Sequence, residues 1–286
     1  MLVTIDANAK INLTLDILGK RTDGYHEVAM VMQEISLADT LRLERAQAGI
    51  HLRLDVPGLP ADHRNLAWRA ARLIMETYSL NDGVRIELQK RIPIAAGLAG
   101  GSADAAGVLR GMNELFGLGL SVEELCALGA QLGSDIPFCI MGGTMLATGR
   151  GEVLRRLPPL PECFVVLAKP PISVSTAWAY QNYDLLGAEK HPDNEAIQKQ
   201  IASKDIKAVS KLLCNVLESV TIKKHKEIDG YKKLMDDSGA MASMMSGSGP
   251  TVFALADTEQ KAAAIAGAVK KATEAAVFVV KTVSRS

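Results

Sequence analysis

Apolar and polar residues alternate strictly between positions 10 and 17, the period of a strand with two unlike faces. A Gly-Lys-Arg-Thr-Asp-Gly turn at 19–24 then leads to a second predicted strand over 28–36. Short strands over 41–45 and 50–54 follow, and we expect them to pair with each other. One face of the first strand consists of Ile11, Leu13, Leu15 and Ile17, and the other of Lys10, Asn12, Thr14 and Asp16.

Two helices are predicted from capping residues that precede apolar positions at helical spacing. Asn65 is placed to cap the first helix. Ser121 and Glu124 form a capping box for the second, which Gly133 ends. The predicted buried stripes are Leu66, Ala70, Leu73, Ile74 and Thr77 in the first helix, and Val122, Leu125, Leu128 and Leu132 in the second.

The second half of the chain begins after a Leu-Pro-Pro-Leu-Pro segment at 157–161, which is the clearest candidate for a hinge between domains. A strand is predicted over 164–168 and another over 251–255, after a Gly-Ser-Gly-Pro turn. A helix over about 259–271 and a strand over 277–283 complete the chain. Because antiparallel strand pairs dominate the first sixty residues, a two-domain α+β fold fits better than a doubly wound sheet.

A run of small residues at 93–103, Pro-Ile-Ala-Ala-Gly-Leu-Ala-Gly-Gly-Ser-Ala, lies between a strand pattern and a helix pattern. Val84, Ile86 and Leu88 alternate with polar residues before it, and the helical pattern after it ends at Gly117. A loop with few Cβ atoms that enters a helix exposes backbone N–H groups, which attract phosphate. The loop matches neither the Walker pattern nor Gly-x-Gly-x-x-Gly, and the alternative is that its glycines only allow a tight strand-to-helix turn.

Composition and charge narrow the classes of partner. The 286 residues carry 32 Lys plus Arg and 32 Asp plus Glu, so the net charge is zero. Long-range attraction to nucleic acid or to an anionic membrane is therefore not expected. The four cysteines form no Cys-x-x-Cys pair, which indicates reduced thiols rather than a disulfide framework or a zinc site. With no signal-peptide or membrane-spanning pattern visible, we expect a cytoplasmic protein.

Several polar residues outside the loop each have a structural and a functional interpretation. Lys10 is either a solvated strand charge or a functional group, and Asp135, just before Ile136-Pro137, either caps a helical turn or does chemistry. Tyr25 and His26 are either local packing in a turn or a binding pair. The turn at 247–249 is either a tight reversal or part of a site.

The order of these segments resembles the GHMP small-molecule kinases. They are Ala-Lys-Ile-Asn-Leu at 9–13, Asp-Gly-Tyr-His at 23–26, the loop at 93–103, Gly-Ser-Asp-Ile-Pro at 133–137 and Ser-Gly-Ser-Gly-Pro at 246–250. The resemblance covers essentially the whole chain. The loop and the Gly-Ser-Gly turn are shared across the superfamily, whereas the first two segments indicate a member that phosphorylates a cytidyl-linked alcohol.

The resemblance implies an α+β, two-domain GHMP kinase fold. Its N-terminal domain, expected at 1–158, is like domain 2 of ribosomal protein S5, and its C-terminal domain, expected at 159–286, is ferredoxin-like. The resemblance also implies ATP as co-substrate, accompanied by Mg²⁺. The implied ATP-binding residues are Asn65 and Lys90 beside the adenine, and Pro93, Ile94, Ala95, Ala96, Gly97, Leu98, Ala99, Gly100, Gly101, Ser102 and Ala103 around the phosphates.

The resemblance assigns the chemistry to Asp135, which accepts the proton of the substrate hydroxyl, and to Lys10 as its charged partner. Ser102 is expected near the metal-bound oxygens, and no residue outside the loop stands out as a metal ligand. Phosphoryl transfer depends mainly on positioning and on charge stabilisation and needs little covalent help from the protein.

The resemblance places the cytidyl end between two aromatic rings, those of Tyr25 and Tyr180, with His26 at the edge of the base and Asn12 also in contact with substrate. Trp178 is close to Tyr180 in the chain and is the alternative stacking ring. Two rival functions stay open at this point. One is a GHMP kinase that acts on mevalonate or homoserine, against which the Tyr25–His26 pair argues, and the other is a catalytically silent GHMP-fold regulator.

Overall fold

A computed structural model describes residues 1–285. The strands are β1 (Leu2–Asn12), β2 (Thr14–Lys20), β3 (His26–Ala46), β4 (Ile50–Leu54), β5 (Gly83–Gln89), β6 (Thr144–Thr148), β7 (Val153–Arg156), β8 (Phe164–Lys169), β9 (Cys214–Asn215), β10 (Ala242–Met245), β11 (Val252–Ala256) and β12 (Ala276–Lys281). The helices are α1 (Leu66–Thr77), α2 (Gly100–Phe116), α3 (Val122–Ala130), α4 (Ile136–Met141), α5 (Thr176–Leu186), α6 (Asn194–Ala202), α7 (Ile206–Ser210), α8 (Glu218–Lys224), α9 (Glu227–Asp237) and α10 (Glu259–Ala272).

Contacts divide the chain into two compact units that do not follow the chain order. Among the described residues, unit 1 comprises 1–9, 37–94 and 99–142, and unit 2 comprises 10–36, 95–98 and 143–285. The Pro-rich segment at 157–161 connects β7 to β8, and its two leucines are buried. The domain boundary after residue 158 stays a prediction.

In unit 1, β5 has the predicted alternation, with Val84, Ile86 and Leu88 buried. The predicted pairing of 41–45 with 50–54 is wrong. Both segments instead flank β5, to which β3 is antiparallel and β4 is parallel. The reason is that β5 forms hydrogen bonds along both of its edges, one to β3 and one to β4. It lies about thirty or more residues further along the chain, so a prediction from neighbouring segments does not find it.

The helices of unit 1 begin where the sequence predicts. Asn65 caps α1 by accepting from the Ala67 N–H, and Ser121 and Glu124 form the complete capping box of α3. The predicted stripe of α1 is partly wrong, because Thr77 is exposed while the small Ala67 and Ala71 are buried. In α3, Val122 is also exposed rather than inward, since it lies in the first turn, and the helix ends at Ala130, before Gly133.

In unit 2, the predicted strand over 10–17 is divided between two strands, because the strand conformation is interrupted at Leu13, between β1 and β2. Its polar face is not solvated, and every residue from 10 to 17 is buried. The predicted strands over 28–36 and 41–45 are one long strand, β3, whose first part pairs antiparallel with β2 and β6. A buried polar strand face in this position indicates that the polar groups serve a site.

The three strands and the helix predicted in the second half of the chain are present, and β9 and β10 are additional strands. Strands β10, β11, β8 and β12 form an antiparallel four-stranded sheet in that order. Helices α9 and α10 pack on this sheet. The predicted helix over 259–271 is confirmed as α10, and the predicted last strand is β12. This combination of mainly antiparallel sheets with helices is the predicted α+β class.

Candidate active site

The loop at residues 93–103, which we call the phosphate loop after its predicted role, has a left-handed backbone at three positions. Ala95, Gly97 and Ala99 have φ values of 51°, 73° and 58°. Ala99 is the N-cap residue of α2, and no side chain caps this helix start. The first N–H groups of α2 therefore remain available to a ligand at the positive end of the helix dipole.

Two of the sequence motifs contact each other within unit 2. The Ser246 hydroxyl donates to the Gly97 carbonyl oxygen at 3.0 Å. A Cβ placed on Gly97 would lie 2.2 Å from the Ser246 carbonyl oxygen, so no other residue fits there. The glycine in the loop is thus required both by its positive φ and by the close approach of the Gly-Ser-Gly turn, residues 246–250. Neither motif is only a local reversal of the chain.

The end of β1 joins the same region of unit 2. The Lys10 backbone N–H donates to the Leu98 carbonyl oxygen at 3.2 Å. The Lys10 ammonium donates to the Asn12 carboxamide oxygen at 2.6 Å, and both side chains are buried. That oxygen also lies 3.6 Å from the position that a Cβ on Gly247 would occupy. The interpretation of Lys10 as a solvated strand charge is therefore wrong.

Asn215 is a residue that sequence reasoning missed. It lies in β9, and its amide nitrogen donates to the carbonyl oxygens of Met245 and Gly247, each at 2.8 Å. Its carboxamide oxygen accepts from the Leu217 N–H. A buried Asn that uses both amide hydrogens and its oxygen in this way holds the Gly-Ser-Gly turn in place. Nothing around Asn215 in the sequence signals this role.

Unit 1 contains a buried group of charges, Asp39, Lys90 and Asp104, which we call the charge cluster. The Lys90 ammonium donates to carboxylate oxygens of Asp39 and Asp104, the latter at 2.6 Å. The other oxygen of Asp39 accepts from the N–H groups of Arg91 and Ile92 at 2.5 and 2.8 Å. The cluster therefore fixes the chain just before Pro93 and joins it to the first turns of α2.

The environment of the charge cluster shifts its pKa values. Burial raises the pKa of Asp104 to about 7, opposed by Lys90 and assisted by Asp39. Burial lowers the pKa of Lys90, but Asp104 and Asp39 outweigh it, so the net shift is upward. One Asp104 oxygen, Oδ1, is buried without a hydrogen-bond partner in the described residues. The two carboxylates share one ammonium, so the second negative charge lacks a full counterion. This adds to the effect of burial on the pKa of Asp104.

Asp135 and Asn65 also lie in unit 1, with different local roles. Asp135 occupies the N-cap position of α4, but its side chain makes no capping hydrogen bond, so the structural alternative for this residue is wrong. The Asn65 side chain is used at both ends, since it caps α1 and donates to the Pro60 carbonyl oxygen. Ser102 is half-buried in the first turn of α2.

The predicted aromatic residues lie in three settings in unit 2. The rings of His26 and Tyr180 lie 5.0 Å apart at an interplanar angle of 40°. Tyr25 is 55% exposed, with the Arg150 guanidinium 5.0 Å from its ring centroid. Trp178 instead contacts His225 and Lys224. The neighbour of His26 is therefore Tyr180.

Helix α5 connects these rings with the Gly-Ser-Gly turn. Thr176 begins the helix, and its hydroxyl lies 3.0 Å from the Ser248 hydroxyl. Tyr180 follows one turn later, and Asp184 one turn after that. Because an α-helix repeats about every 3.6 residues, these three residues share one face.

Two further observations concern a possible metal site and a possible membrane span. Among residues 1–285, no three His, Cys, Asp or Glu side chains are grouped so that they could hold a metal ion. No helix within the same residues combines the length and the apolar character needed to cross a bilayer.

Comparisons with known proteins agree across the chain. Residues 65–143 match the family model described as GHMP kinases N terminal domain, and residues 195–275 match GHMP kinases C terminal. A protein of Acetivibrio thermocellus named 4-diphosphocytidyl-2-C-methyl-D-erythritol kinase is 48% identical, over 98% of this chain and 99% of its own. A protein of Geobacillus kaustophilus with the same name is 51% identical, over 91% and 90% of the two chains.

Solved structures give the same picture. A crystal structure of 4-(cytidine 5'-diphospho)-2C-methyl-D-erythritol kinase is 34% identical with a TM-score of 0.83, over 97% of this chain and 99% of that one. A homoserine kinase of Cytophaga hutchinsonii is 20% identical with a TM-score of 0.77, over 99% and 95% of the chains. The second likeness bears on the fold alone.

Proposed function

Since the chain belongs to the 4-diphosphocytidyl-2-C-methyl-D-erythritol kinase family of GHMP kinases, we propose that it transfers the γ-phosphoryl group of ATP to the 2-hydroxyl of that cytidyl alcohol. The products are the 2-phosphate and ADP, and the reaction is a step of the non-mevalonate route to isoprenoid precursors. ATP is the co-substrate of this family.

The observation that carries the proposal is the contact among three motifs in unit 2. The loop at Gly97, the Gly-Ser-Gly turn and the end of β1 at Lys10 come together through specific backbone and side-chain hydrogen bonds. A regulator without activity needs the fold but not a buried lysine at the phosphate loop. The phosphates of ATP lie along this loop and against the uncapped start of α2.

Asp135 and Lys10 divide the chemistry of phosphoryl transfer. Asp135 either accepts the proton of the attacking hydroxyl or orients that hydroxyl. A well-placed base raises the rate of such a step by about 10²- to 10⁴-fold. Lys10 steadies negative charge on the transferred group.

Mg²⁺ accompanies ATP, and the residues present fit that role. The ion usually binds through phosphate oxygens, waters and only one or two protein ligands, so a dedicated carboxylate cluster is not needed. The hydroxyl of Ser102, on the first turn of α2, is a suitable oxygen ligand beside the phosphates. When bound, Mg²⁺ neutralises charge that develops on the phosphate oxygens.

The cytidyl end of the substrate binds at the aromatic residues of unit 2. Tyr25 and Tyr180 stack on the cytosine ring, and Asn12 contributes a further polar contact. Stacking contributes about 1–3 kcal/mol per base but is tolerant of base identity, so His26 selects the base through its edge. The contact between the rings of Tyr180 and His26 supports Tyr180 over Trp178 in this role.

The remaining proposals concern ATP and the setting of the enzyme. Asn65 and Lys90 line the adenine pocket, and their hydrogen bonds within unit 1 keep that wall rigid. The N-terminal domain ends near residue 158. The partners are small molecules, without nucleic acid or membrane, and the protein works in the cytoplasm.

A product assay tests the function. The protein is incubated with ATP, Mg²⁺ and the cytidyl alcohol, beside mevalonate and homoserine, and the products are analysed by mass. Only the cytidyl alcohol is expected to gain a phosphoryl group. Phosphorylated mevalonate or homoserine would establish a rival kinase, and no ADP release with any acceptor would indicate a silent regulator.

The Asp135→Asn variant tests the assigned chemistry in the same assay. It should bind ATP as the unaltered protein does but turn over about 10²-fold more slowly or worse, because the proton acceptor is lost while the shape is kept. Near-normal turnover would remove Asp135 from the chemistry.

A further inference from the structure

His26 has one ring nitrogen paired and one unpaired. Its Nε2 lies 2.6 Å from the Oδ1 atom of Asp184, on α5. The His26 side chain is only 10% exposed, and its ring packs against Tyr180. Among the described residues the hydrogen bond of the His26 ring is the one through Nε2, and Nδ1 is not one of the buried atoms without a partner, so it is open to solvent or to a ligand. A largely buried imidazole with one free nitrogen is arranged to meet a ligand.

Asp184 is held as an ionised acceptor. The Lys20 ammonium donates to its other carboxylate oxygen at 2.8 Å. The hydrogen bonds from Lys20 and then from His26 lower the pKa of Asp184 below its ordinary value of 3.8. An ionised carboxylate only accepts hydrogen bonds, so the proton in the Asp184–His26 pair belongs to Nε2.

We propose that Asp184 is a positioning residue that fixes the tautomer of His26, so that Nδ1 presents a lone pair to the base and selects cytosine over uracil. This inference rests on the proposed function. The exocyclic amine of cytosine is a hydrogen-bond donor, and it matches the lone pair on Nδ1. The corresponding group of uracil is a carbonyl oxygen, which only accepts.

Uracil meets a mismatch that neutral His26 cannot relieve while Asp184 is present. To donate to the uracil oxygen, neutral His26 needs its proton on Nδ1. Its Nε2 lone pair then faces the Asp184 carboxylate, and two acceptors oppose each other at 2.6 Å. A site built around a hydrogen-bond partner rejects an analogue that leaves buried polar groups unpaired. Stacking on Tyr25 and Tyr180 does not distinguish the two bases.

Asp184→Asn removes this constraint with little change in shape. The Asn side chain offers His26 either its oxygen or its nitrogen, so both tautomers become possible. We measure kcat/KM for 4-diphosphocytidyl-2-C-methyl-D-erythritol and for its uridyl counterpart. The ratio of the two values should fall by about tenfold or more in the variant, while the KM for ATP stays unchanged.

The matched control is Lys20→Gln, which removes the other partner of Asp184 and leaves the pair with His26 in place. Its selectivity ratio should equal that of the unaltered protein. An unchanged ratio in Asp184→Asn, or an equal loss with both substrates, overturns the inference. If instead the unaltered protein does not phosphorylate the cytidyl substrate, the proposed function itself fails.

The tautomer is measured directly in the full-length protein by ¹⁵N NMR of the histidine rings, with the His26 signals assigned by their loss in His26→Gln. The expected spectrum has a protonated Nε2 and an unprotonated Nδ1. In Asp184→Asn the Nδ1 signal should move toward the protonated form. A proton on Nδ1 in the unaltered protein contradicts the inference whatever the kinetics show.

Discussion

The phosphate loop is held in place by two unlike means, one in each unit. In unit 2, Gly97 packs against the Gly-Ser-Gly turn so closely that a Cβ would lie 2.2 Å from a backbone oxygen. In unit 1, the chain before Pro93 and the first turns of α2 are fixed by the buried charge cluster. The first contact depends on shape and tolerates no added atom, and the second depends on charge balance and tolerates no lost partner.

Breaking the shape contact should have the largest effect. Gly97→Ala adds a Cβ at a φ of 73°, within 2.2 Å of the Ser246 oxygen. Left-handed strain and overpacking together should lower the free energy of unfolding by about 2–5 kcal/mol. Urea unfolding measures the loss, and the KM for ATP should rise because the loop is displaced.

The control for that change is Ala99→Gly in the same loop, where φ is 58°. This exchange relieves left-handed strain and adds no atom, so stability should be equal or slightly higher. Equal stabilities of Gly97→Ala and the unaltered protein would show that the turn yields easily.

Removing the cation should have the next largest effect and tests the charge side of the comparison. Lys90→Met leaves two buried carboxylates without a counterion, which costs about 3–5 kcal/mol for buried pairs. The free energy of unfolding in urea measures it. Lys261→Met breaks the exposed pair with Asp257 and should cost less than about 1 kcal/mol. Similar losses in the two variants would contradict a special role for the cluster.

The smallest effect is a pH dependence that sharpens the account of Asp104. Its folded pKa of about 7 exceeds the ordinary 3.8, so the folded protein holds a proton that the unfolded chain has released between these values. Stability from this group is therefore full below about pH 4 and is lost as the pH rises to 7. Asp104→Asn has no such proton, so its stability relative to the unaltered protein should improve from pH 5 to pH 8.

Urea unfolding at both pH values measures this change. Asp39 and Lys90 are present in both proteins, so the two proteins differ only at residue 104. A relative stability that is the same at pH 5 and pH 8 would show that Asp104 is ionised throughout.

The comparison also explains what the sequence could predict. The phosphate loop is visible as a continuous run of small residues, and the capping residues Asn65 and Ser121 act on helices that follow at once. The charge cluster joins positions 39, 90 and 104, and Asn215 acts on a turn about thirty residues away. Such residues have no local period, because only the folded chain brings them together.

The errors have the same physical origin. Alternation correctly predicts extended chain around Lys10 but not the burial of its polar face, since the pattern shows two faces and not what covers each. The pairing of β4 depends on β5, which is distant in the chain. The order of five motifs along the chain indicated the family, which no single motif indicated alone.

Helix α5 carries at one end the hydroxyl contact to the Gly-Ser-Gly turn and further along Tyr180 and Asp184. Because one helix contacts both the Gly-Ser-Gly turn and His26, a movement of the helix changes both contacts. Attempts to redesign the enzyme for a different nucleoside by shifting this helix will therefore disturb the phosphate end as well. Exchanges of single side chains that keep the Thr176–Ser248 contact are the better route to altered base preference.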